Sequence, residues 1–217
     1  MELVHMFGAL CTASSFCFQL VGMQICYSIV KKGGTGDMSP FTFISYFVAC
    51  SMWLKYGLIQ KLPVVIAVNA YGATLNFIYT IIFYRFSTKK SQFHRFIFLG
   101  AAMLVSPLMY IRYYQTDVKL AMEHLGSYCV LLTVIGYGAP LVSLTDVWRT
   151  KSTESLSFVL IFANFMVAVL WTVYGGMIKD KYVQAPNVLG GILALIQLSL
   201  FIIYPSSQLK NLHAKTD

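Results

Sequence analysis

Two tryptophans and two asparagines are the side chains of this sequence best suited to bind a small neutral molecule. Trp53 and Asn69 recur as Trp171 and Asn187, each pair 118 positions apart. An indole offers a flat apolar face, and a carboxamide offers both donors and acceptors of hydrogen bonds. Pyranose rings combine C–H faces with rims of hydroxyls, so this set of side chains predicts a site for a neutral polyol.

The recurrence extends over fifty residues. Residues 35–84 align without a gap on residues 153–202, and fourteen of the fifty positions are identical. WLKYG, which begins at Trp53, aligns with WTVYG, and NAYG, which begins at Asn69, aligns with NVLG. A shared apolar bias would match Leu, Ile and Val by chance, but it would not align Trp, Tyr, Gly and Asn in order. The chain therefore contains an internal duplication.

Membrane-spanning helices are the elements predicted to position these residues. The 217 residues are 58% hydrophobic and 11% charged, with a mean hydropathy of +0.68, which is too apolar for one water-soluble core. Runs of about 20 apolar residues can cross a hydrocarbon core of about 30 Å. Seven such runs are predicted, at residues 6–30, 40–59, 64–84, 96–114, 124–147, 158–178 and 185–204.

We expect an all-α membrane protein whose seven transmembrane helices form two parallel three-helix bundles joined by a linker helix. Residues 1–86 hold the first repeat, residues 87–123 the linker with helix 4, residues 124–205 the second repeat, and residues 206–217 a short cytoplasmic tail. The extra fourth crossing gives both repeats the same orientation. In transporters with parallel repeats, substrate sites lie near the midplane at the repeat interface.

The distribution of Lys and Arg predicts the orientation in the membrane. Ten lie on the face that holds the C-terminus and five on the other face. The richer face is therefore expected to be cytoplasmic, with the N-terminus extracellular or lumenal. The first apolar run is too long for a signal peptide and is predicted to be a retained helix. The formal charge of +8 is then a topology signal, and no nucleic-acid partner is expected.

The ionisable residues exclude several kinds of chemistry. All eight acidic residues lie in loops or at span ends, whereas ion-coupled carriers usually keep an Asp, Glu or His in mid-membrane. We therefore expect passive transport. The four histidines do not cluster as metal ligands do, and the five cysteines lie inside predicted spans. We expect no metal, cofactor or disulfide, and no catalytic residues, because the spans contain no acid pair or nucleophile–base set.

The chain resembles the eukaryotic SWEET sugar transporters from about residue 7 to Pro205. The resemblance is carried by the YG after each second-helix Trp, by TKSTES after helix 5, by Pro186–Asn187, and by QLSLFIIYP ending at Pro205. It implies a uniporter that carries mono- or disaccharides down their gradient by alternating access. The Pro-Gln dipeptide of the related PQ-loop carriers is absent from the sequence.

The resemblance also implies roles for individual residues. Asn69 and Asn187 match the sugar-contacting asparagines, Trp171 matches a pocket aromatic residue, and Trp53 falls on the pocket position of the first repeat. Another pair, Tyr56 and Asp180, matches an extracellular gate, in which a tyrosyl hydroxyl can donate to a carboxylate. Gln197 matches a residue near the intracellular hinge.

The predicted inner gate departs from the family. Many members carry four prolines near the cytoplasmic ends of helices 1, 2, 5 and 6, where missing backbone hydrogen bonds let helices bend. Pro140 matches one of them, and its repeat counterpart is Gly22. Thr42 and Ser157 occupy the other two positions. Bending is therefore predicted at Gly22, at Pro40 and at Gly138.

Other functions stay open at this point. A seven-helix receptor is disfavoured because the chain lacks an acidic-Arg-Tyr switch and an Asn-Pro-x-x-Tyr motif, and because receptors lack this duplication. A non-transporting scaffold could use Gly-rich faces such as Gly190–Gly191 to bind another membrane protein. The same faces suit a homo-oligomer. Two indoles facing each other favour a narrow site and a hexose such as glucose, and the resemblance favours the plasma membrane first and Golgi membranes second.

Overall fold

The computed structural model describes residues 2–114 and 116–204, and these residues form helices and turns without β-strands. The predicted cytoplasmic tail, residues 206–217, lies outside this part of the chain. The helices are α1 (Glu2–Gln19), α2 (Val21–Lys32), α3 (Phe41–Gln60), α4 (Pro63–Phe86), α5 (Lys90–Met109), a π-helical turn (Tyr110–Tyr114), α6 (Val118–Gly136), α7 (Gly138–Thr150), α8 (Phe158–Met177) and α9 (Lys181–Ile203).

Seven segments are long and apolar enough to cross a bilayer in the described ranges, which confirms the predicted spans. They are α1 with α2, α3, α4, α5 with the π-helical turn, α6 with α7, α8, and α9. Large apolar side chains such as Phe98, Val159 and Ile202 are 78%, 78% and 85% exposed. Exposed apolar side chains suit a lipid environment, and the helices also satisfy their backbone polar groups internally, as a membrane requires.

The chain divides into two compact units. The first unit comprises residues 8–129, and the second comprises residues 130–204 together with residues 2–7. In the first unit α4 packs on α2 and on α3, and the linker helix α5 packs on α3. In the second unit α9 packs on α7 and on α8.

An aromatic cluster forms the core at one end of the first unit. Phe83 lies between Phe43 and Phe93, with ring centroids 6.1 and 6.2 Å away. Gly100 lets α5 approach this core, because a β-carbon there would stand 2.7 Å from Ile44 Cγ2. The buried members of the cluster are Cys26, Ile29, Phe43, Ile44, Tyr79, Phe83 and Phe93.

The turn that joins α3 to α4 has the same geometry as the turn that joins α8 to α9. Lys61 and Lys179 each adopt a left-handed conformation, with φ of 55°. The residue after each lysine returns its N–H to the carbonyl of the glycine in the Tyr-Gly motif, at 2.9 Å in both hairpins. This bonding caps α3 and α8 as a Schellman motif does.

Candidate functional site

Each unit carries a tryptophan in edge-to-face contact with the tyrosine one turn later on the same helix. The Trp53 and Tyr56 rings have centroids 5.6 Å apart at 85°, and the Trp171 and Tyr174 rings 5.8 Å apart at 90°. This is the favoured geometry for two aromatic quadrupoles, and it restrains the indole plane. Tyr56 and Tyr174 are buried, at 1% and 3% exposure, so each forms a fixed support for its tryptophan.

The glycine that follows each of these tyrosines lets the asparagine helix pack closely. A β-carbon on Gly175 would stand 2.9 Å from the backbone N of Gln184 in α9. A β-carbon on Gly57 would stand 3.2 Å from the backbone N of Ile66 in α4. The repeated W-x-x-Y-G motif therefore has two structural functions: the tyrosine orients the indole, and the glycine brings the next helix against it.

The two asparagines have matching environments in their separate units. Asn69 donates from Nδ2 to the Val65 carbonyl at 2.9 Å, and Asn187 donates to the Val183 carbonyl at 2.7 Å. Both side chains are half-buried. A carboxamide has two N–H donors and two acceptor lone pairs, so a single bond to its own helix leaves it able to donate to and accept from a ligand.

The residues predicted to form the extracellular gate lie in different units. Tyr56 is on α3 of the first unit, and Asp180 precedes α9 in the second. The Asp180 Oδ1 accepts hydrogen bonds from the backbone N–H groups of Tyr182 and Val183, at 2.9 and 3.1 Å. Asp180 therefore caps the helix that carries Asn187, a function that was not predicted from the sequence.

The predicted hinge positions Gly22 and Pro140 lie just after breaks in the first helix of each repeat. Leu20 separates α1 from α2, and Tyr137 separates α6 from α7. Pro140 accounts for the second break, because it cannot donate a hydrogen bond to the Gly136 carbonyl. At the first break the Met23 N–H donates to the Leu20 carbonyl at 2.9 Å, which tightens the turn.

In each repeat, a residue of the third membrane-spanning helix, α4 or α9, contacts the segment around the break in the first helix. The Tyr79 hydroxyl donates to the Gln19 carbonyl at 3.3 Å in the first unit. At the equivalent position of the second unit, Gln197 donates from Nε2 to the Ser143 Oγ at 3.0 Å, and that hydroxyl donates to the Pro140 carbonyl at 2.8 Å. Gln197 is thus linked to the proline of the predicted hinge.

The remaining hinge candidates lie at helix starts. Pro40 is the N-cap of α3 and Ser157 is the N-cap of α8, where the Ser157 side chain accepts from the Leu160 N–H. Thr42 is the second residue of α3, and Gly138 is the first residue of α7. Pro40 precedes its helix, so it breaks no hydrogen bond inside α3.

Two further side chains reach the asparagine helices. They are Gln19, at the end of α1, and Tyr137, between α6 and α7. Neither residue was predicted from the sequence to belong to the site. The available signal was that the two residues are 118 positions apart and both carry a hydrogen-bond donor. Their different types hide this equivalence from any comparison based on identical residues.

The Gly190–Gly191 face considered for a partner helix packs inside the second unit. A β-carbon on Gly190 would stand 2.7 Å from the Tyr137 hydroxyl oxygen, and one on Gly191 would lie 3.7 Å from the Ala168 β-carbon. These contacts disfavour that pair of glycines as a docking surface. Within residues 2–114 and 116–204, no group of three His, Cys, Asp or Glu side chains is arranged to hold a metal ion.

Fold and candidate site together define a multi-pass helical membrane protein whose duplicated helices carry the same aromatic and carboxamide groups. The chain matches the family model described as "Sugar efflux transporter for intercellular exchange" over residues 5–91 and again over residues 123–209. It is 38% identical over 187 residues to the sugar transporter SWEET1 of Drosophila pseudoobscura pseudoobscura, covering 86% of this chain and 83% of that protein. The chain belongs to the SWEET family.

A plant relative and a solved structure extend the comparison. The chain is 31% identical over 205 residues to the bidirectional sugar transporter N3 of Medicago truncatula, covering 93% of this chain and 76% of that protein. The structure of a eukaryotic SWEET transporter superposes with a TM-score of 0.82 at 21% identity, covering 93% of this chain and 96% of that one. The predicted family and fold class are confirmed, and the relatives are named as transporters and not as enzymes.

Proposed function

We propose that this protein is a passive uniporter that moves a hexose such as glucose across the membrane in both directions by alternating access. One observation carries the proposal: each unit repeats an asparagine bonded to its own helix and a tryptophan held edge-to-face by a tyrosine. A sugar ring needs both of these groups, since its hydroxyls require donors and acceptors and its C–H faces require an apolar surface.

The sugar-binding residues in this proposal are Trp53 and Asn69 of the first unit and Trp171 and Asn187 of the second. Tyr56 and Asp180 close the extracellular side, and Gly22, Pro140 and Gln197 serve the inner gate or hinge. Support for bidirectional sugar transport comes from the names of the relatives, one of which is a bidirectional sugar transporter. Passive transport is supported by the sequence, in which all eight acidic residues lie in loops or at span ends.

Uptake of labelled glucose in cells that lack endogenous hexose carriers tests the proposal, with and without a proton gradient. We expect uptake that does not depend on the gradient, with loss of flux in Asn69→Ala, Asn187→Ala and Trp171→Ala at unchanged surface abundance. Preloaded cells should release glucose through the same protein. If a disaccharide moves and glucose does not, only the preference for a hexose is wrong.

Asn76→Ala is the matched control for the asparagine variants. Asn76 lies on the same helix as Asn69 and makes the same kind of bond, from Nδ2 to the Gly72 carbonyl at 2.9 Å. It is buried, and its repeat counterpart is Ala194, so alanine is compatible with this position in the fold. Equal loss of flux in Asn69→Ala and Asn76→Ala would indicate a packing function for both and would contradict the assignment of Asn69 to the sugar.

The proposed location is the plasma membrane, with Golgi membranes as the second candidate. We propose an extracellular or lumenal N-terminus and a cytoplasmic C-terminus, because the side that holds the C-terminus has ten of the basic residues. Epitope tags at the two termini test this orientation. In intact cells an antibody should reach only the N-terminal tag, and labelling of the C-terminal tag without permeabilisation would contradict it.

A further inference from the structure

One contact is repeated in both units with a different side chain in each. Gln19 donates from Nε2 to the Val68 carbonyl at 3.2 Å, and the Tyr137 hydroxyl donates to the Pro186 carbonyl at 2.6 Å. Positions 19 and 137 are 118 apart, as are positions 68 and 186, so the donor positions and the acceptor positions are both equivalent in the duplication.

The accepting carbonyl belongs to the residue just before each proposed sugar-binding asparagine. The carbonyl of residue 68 and the Cα of Asn69 lie in one planar peptide unit, and so do the carbonyl of residue 186 and the Cα of Asn187. A hydrogen bond that holds the carbonyl oxygen therefore also restrains the backbone from which the carboxamide projects. A carbonyl has two acceptor lone pairs, so it can accept this bond in addition to the bond within the helix.

A glycine makes room for the contact in both units. A β-carbon on Gly72 would stand 2.5 Å from the Gln19 Oε1, and one on Gly190 would stand 2.7 Å from the Tyr137 hydroxyl oxygen. Gly72 and Gly190 are the glycines of the aligned NAYG and NVLG motifs. Any larger residue would push the donor away from the carbonyl.

The donors lie at the breaks of the first helix of each repeat. Gln19 is the last residue of α1, and Tyr137 is the residue between α6 and α7. The Gln19 carbonyl also accepts the Tyr79 hydroxyl at 3.3 Å, so residue 19 contacts α4 through both its main chain and its side chain. Each break is therefore attached directly to the peptide unit that carries an asparagine.

We propose that Gln19 and Tyr137 are positioning residues that set the place and direction of the Asn69 and Asn187 carboxamides for sugar binding. The proposal rests on the proposed sugar site, and it assigns neither residue a contact with the sugar. Its direct consequence is that removing either donor weakens sugar affinity, although both asparagines are still present.

Tyr137→Phe is the main test because it removes the hydroxyl and keeps the ring. We expect the glucose Kd of the purified full chain, measured by tryptophan fluorescence, and the KM for uptake to rise about threefold to tenfold, as for one lost hydrogen bond. Tyr137→Gln should recover most of the affinity, since glutamine makes this contact from the equivalent position 19. Positioning would be disproved if Tyr137→Phe had the wild-type Kd.

The matched control is Tyr128→Phe. The Tyr128 hydroxyl also donates to a backbone carbonyl, that of Met103 at 2.7 Å, which is not next to a proposed sugar-binding residue. Both tyrosine variants should unfold at similar temperatures without sugar, and only Tyr137→Phe should lose affinity. An equal change of Kd in the two variants would assign Tyr137 a general packing function and overturn the proposal.

Gln19→Met provides a second variant in the other unit. The Gln19 Oε1 is buried and accepts no hydrogen bond from the described residues, so methionine removes the donor and this unsatisfied acceptor together. We expect near wild-type stability and a raised glucose Kd. A wild-type Kd in both Gln19→Met and Tyr137→Phe, with Asn187→Ala inactive, would reject positioning and leave the transport proposal standing. A wild-type chain that moves no sugar would instead reject the transport proposal and this inference with it.

Discussion

The ring of Tyr79 lies directly against the backbone of Gly22, so closely that a β-carbon on residue 22 would overlap Tyr79 Cε2 and would stand 2.7 Å from Tyr79 Cδ2. The Tyr79 ring also packs against Phe43, with ring centroids 5.5 Å apart, and Tyr79 is only 4% exposed. The same approach brings the Tyr79 hydroxyl within reach of the Gln19 carbonyl. At this position glycine is required for packing, because the space that a side chain would need is filled.

Gly22→Ala should therefore destabilise the protein by about 1–3 kcal/mol, the usual cost of overpacking a core. Thermal unfolding of the purified protein measures this, with Gly34→Ala as control, because nothing lies within 4 Å of a β-carbon added there. The double variant with Tyr79→Leu should recover part of the loss. Wild-type stability of Gly22→Ala alone would show that Tyr79 can move aside.

Hydropathy predicted all seven spans, and it placed the starts of α3, α4 and α8 to within one residue, but the other four spans begin earlier than predicted. The fourth span was expected from residue 96, and its helix α5 begins at Lys90. The seventh span was expected from residue 185, and its helix α9 begins at Lys181. Apolar runs report the part of a helix that lies in hydrocarbon, whereas caps and backbone hydrogen bonds determine its ends. Asp180 shows the difference, since its carboxylate starts α9 several residues before the apolar run.

The duplication identified the asparagines and tryptophans because those residue types are identical in the two repeats. It did not identify Gln19 and Tyr137, because there the repeats keep a donor and its acceptor carbonyl but change the side chain. Gly190 was visible in the aligned motif, yet its contact with Tyr137 depends on which helix lies beside it. Functions that depend on packing partners are therefore the part that one sequence does not specify.

The exposed ion pair between Lys89 and Asp37 predicts a small and pH-dependent effect. Its Nζ–Oδ1 distance is 2.9 Å, and the hydrogen bond and charge of Lys89 hold the pKa of Asp37 below its ordinary value. A lowered folded-state pKa contributes stability above the unfolded-state pKa, and this is lost as the pH falls through the folded-state pKa. Both side chains are exposed, at 57% and 101%, so screening keeps the contribution small.

Thermal unfolding of Asp37→Asn from pH 7 down to the acid range tests this expectation. At neutral pH the variant should melt at or slightly below the wild-type temperature, and the two curves should converge as Asp37 of the wild type becomes protonated. Added salt should also remove any difference. A large difference that persists in high salt would contradict the assignment of Asp37 to a screened surface pair.

Substitutions at Asp180 should separate its capping function from its charge. Asp180→Ala removes both hydrogen bonds to the start of α9 and should cost about 1 kcal/mol of stability, whereas Asp180→Asn keeps a side-chain acceptor and should cost little. Thermal unfolding of both variants measures the cap. If Asp180→Asn then has wild-type stability but altered glucose flux, the carboxylate charge serves transport, as proposed for the extracellular gate. Equal instability of the two variants would contradict the capping assignment.

Gln197 should affect the rate of transport without changing sugar affinity. It is ten residues beyond Asn187 on α9, about 15 Å along the helix, and its bond to Ser143 leads to the Pro140 carbonyl at the helix break. Gln197→Met keeps the volume and removes this bond, which is worth about 0.5–1.5 kcal/mol. We expect the maximal rate of glucose uptake to change by about twofold to tenfold with an unchanged KM, the opposite of the result expected for Tyr137→Phe. A raised KM at an unchanged maximal rate would place Gln197 with the sugar-binding residues and remove it from the proposed hinge.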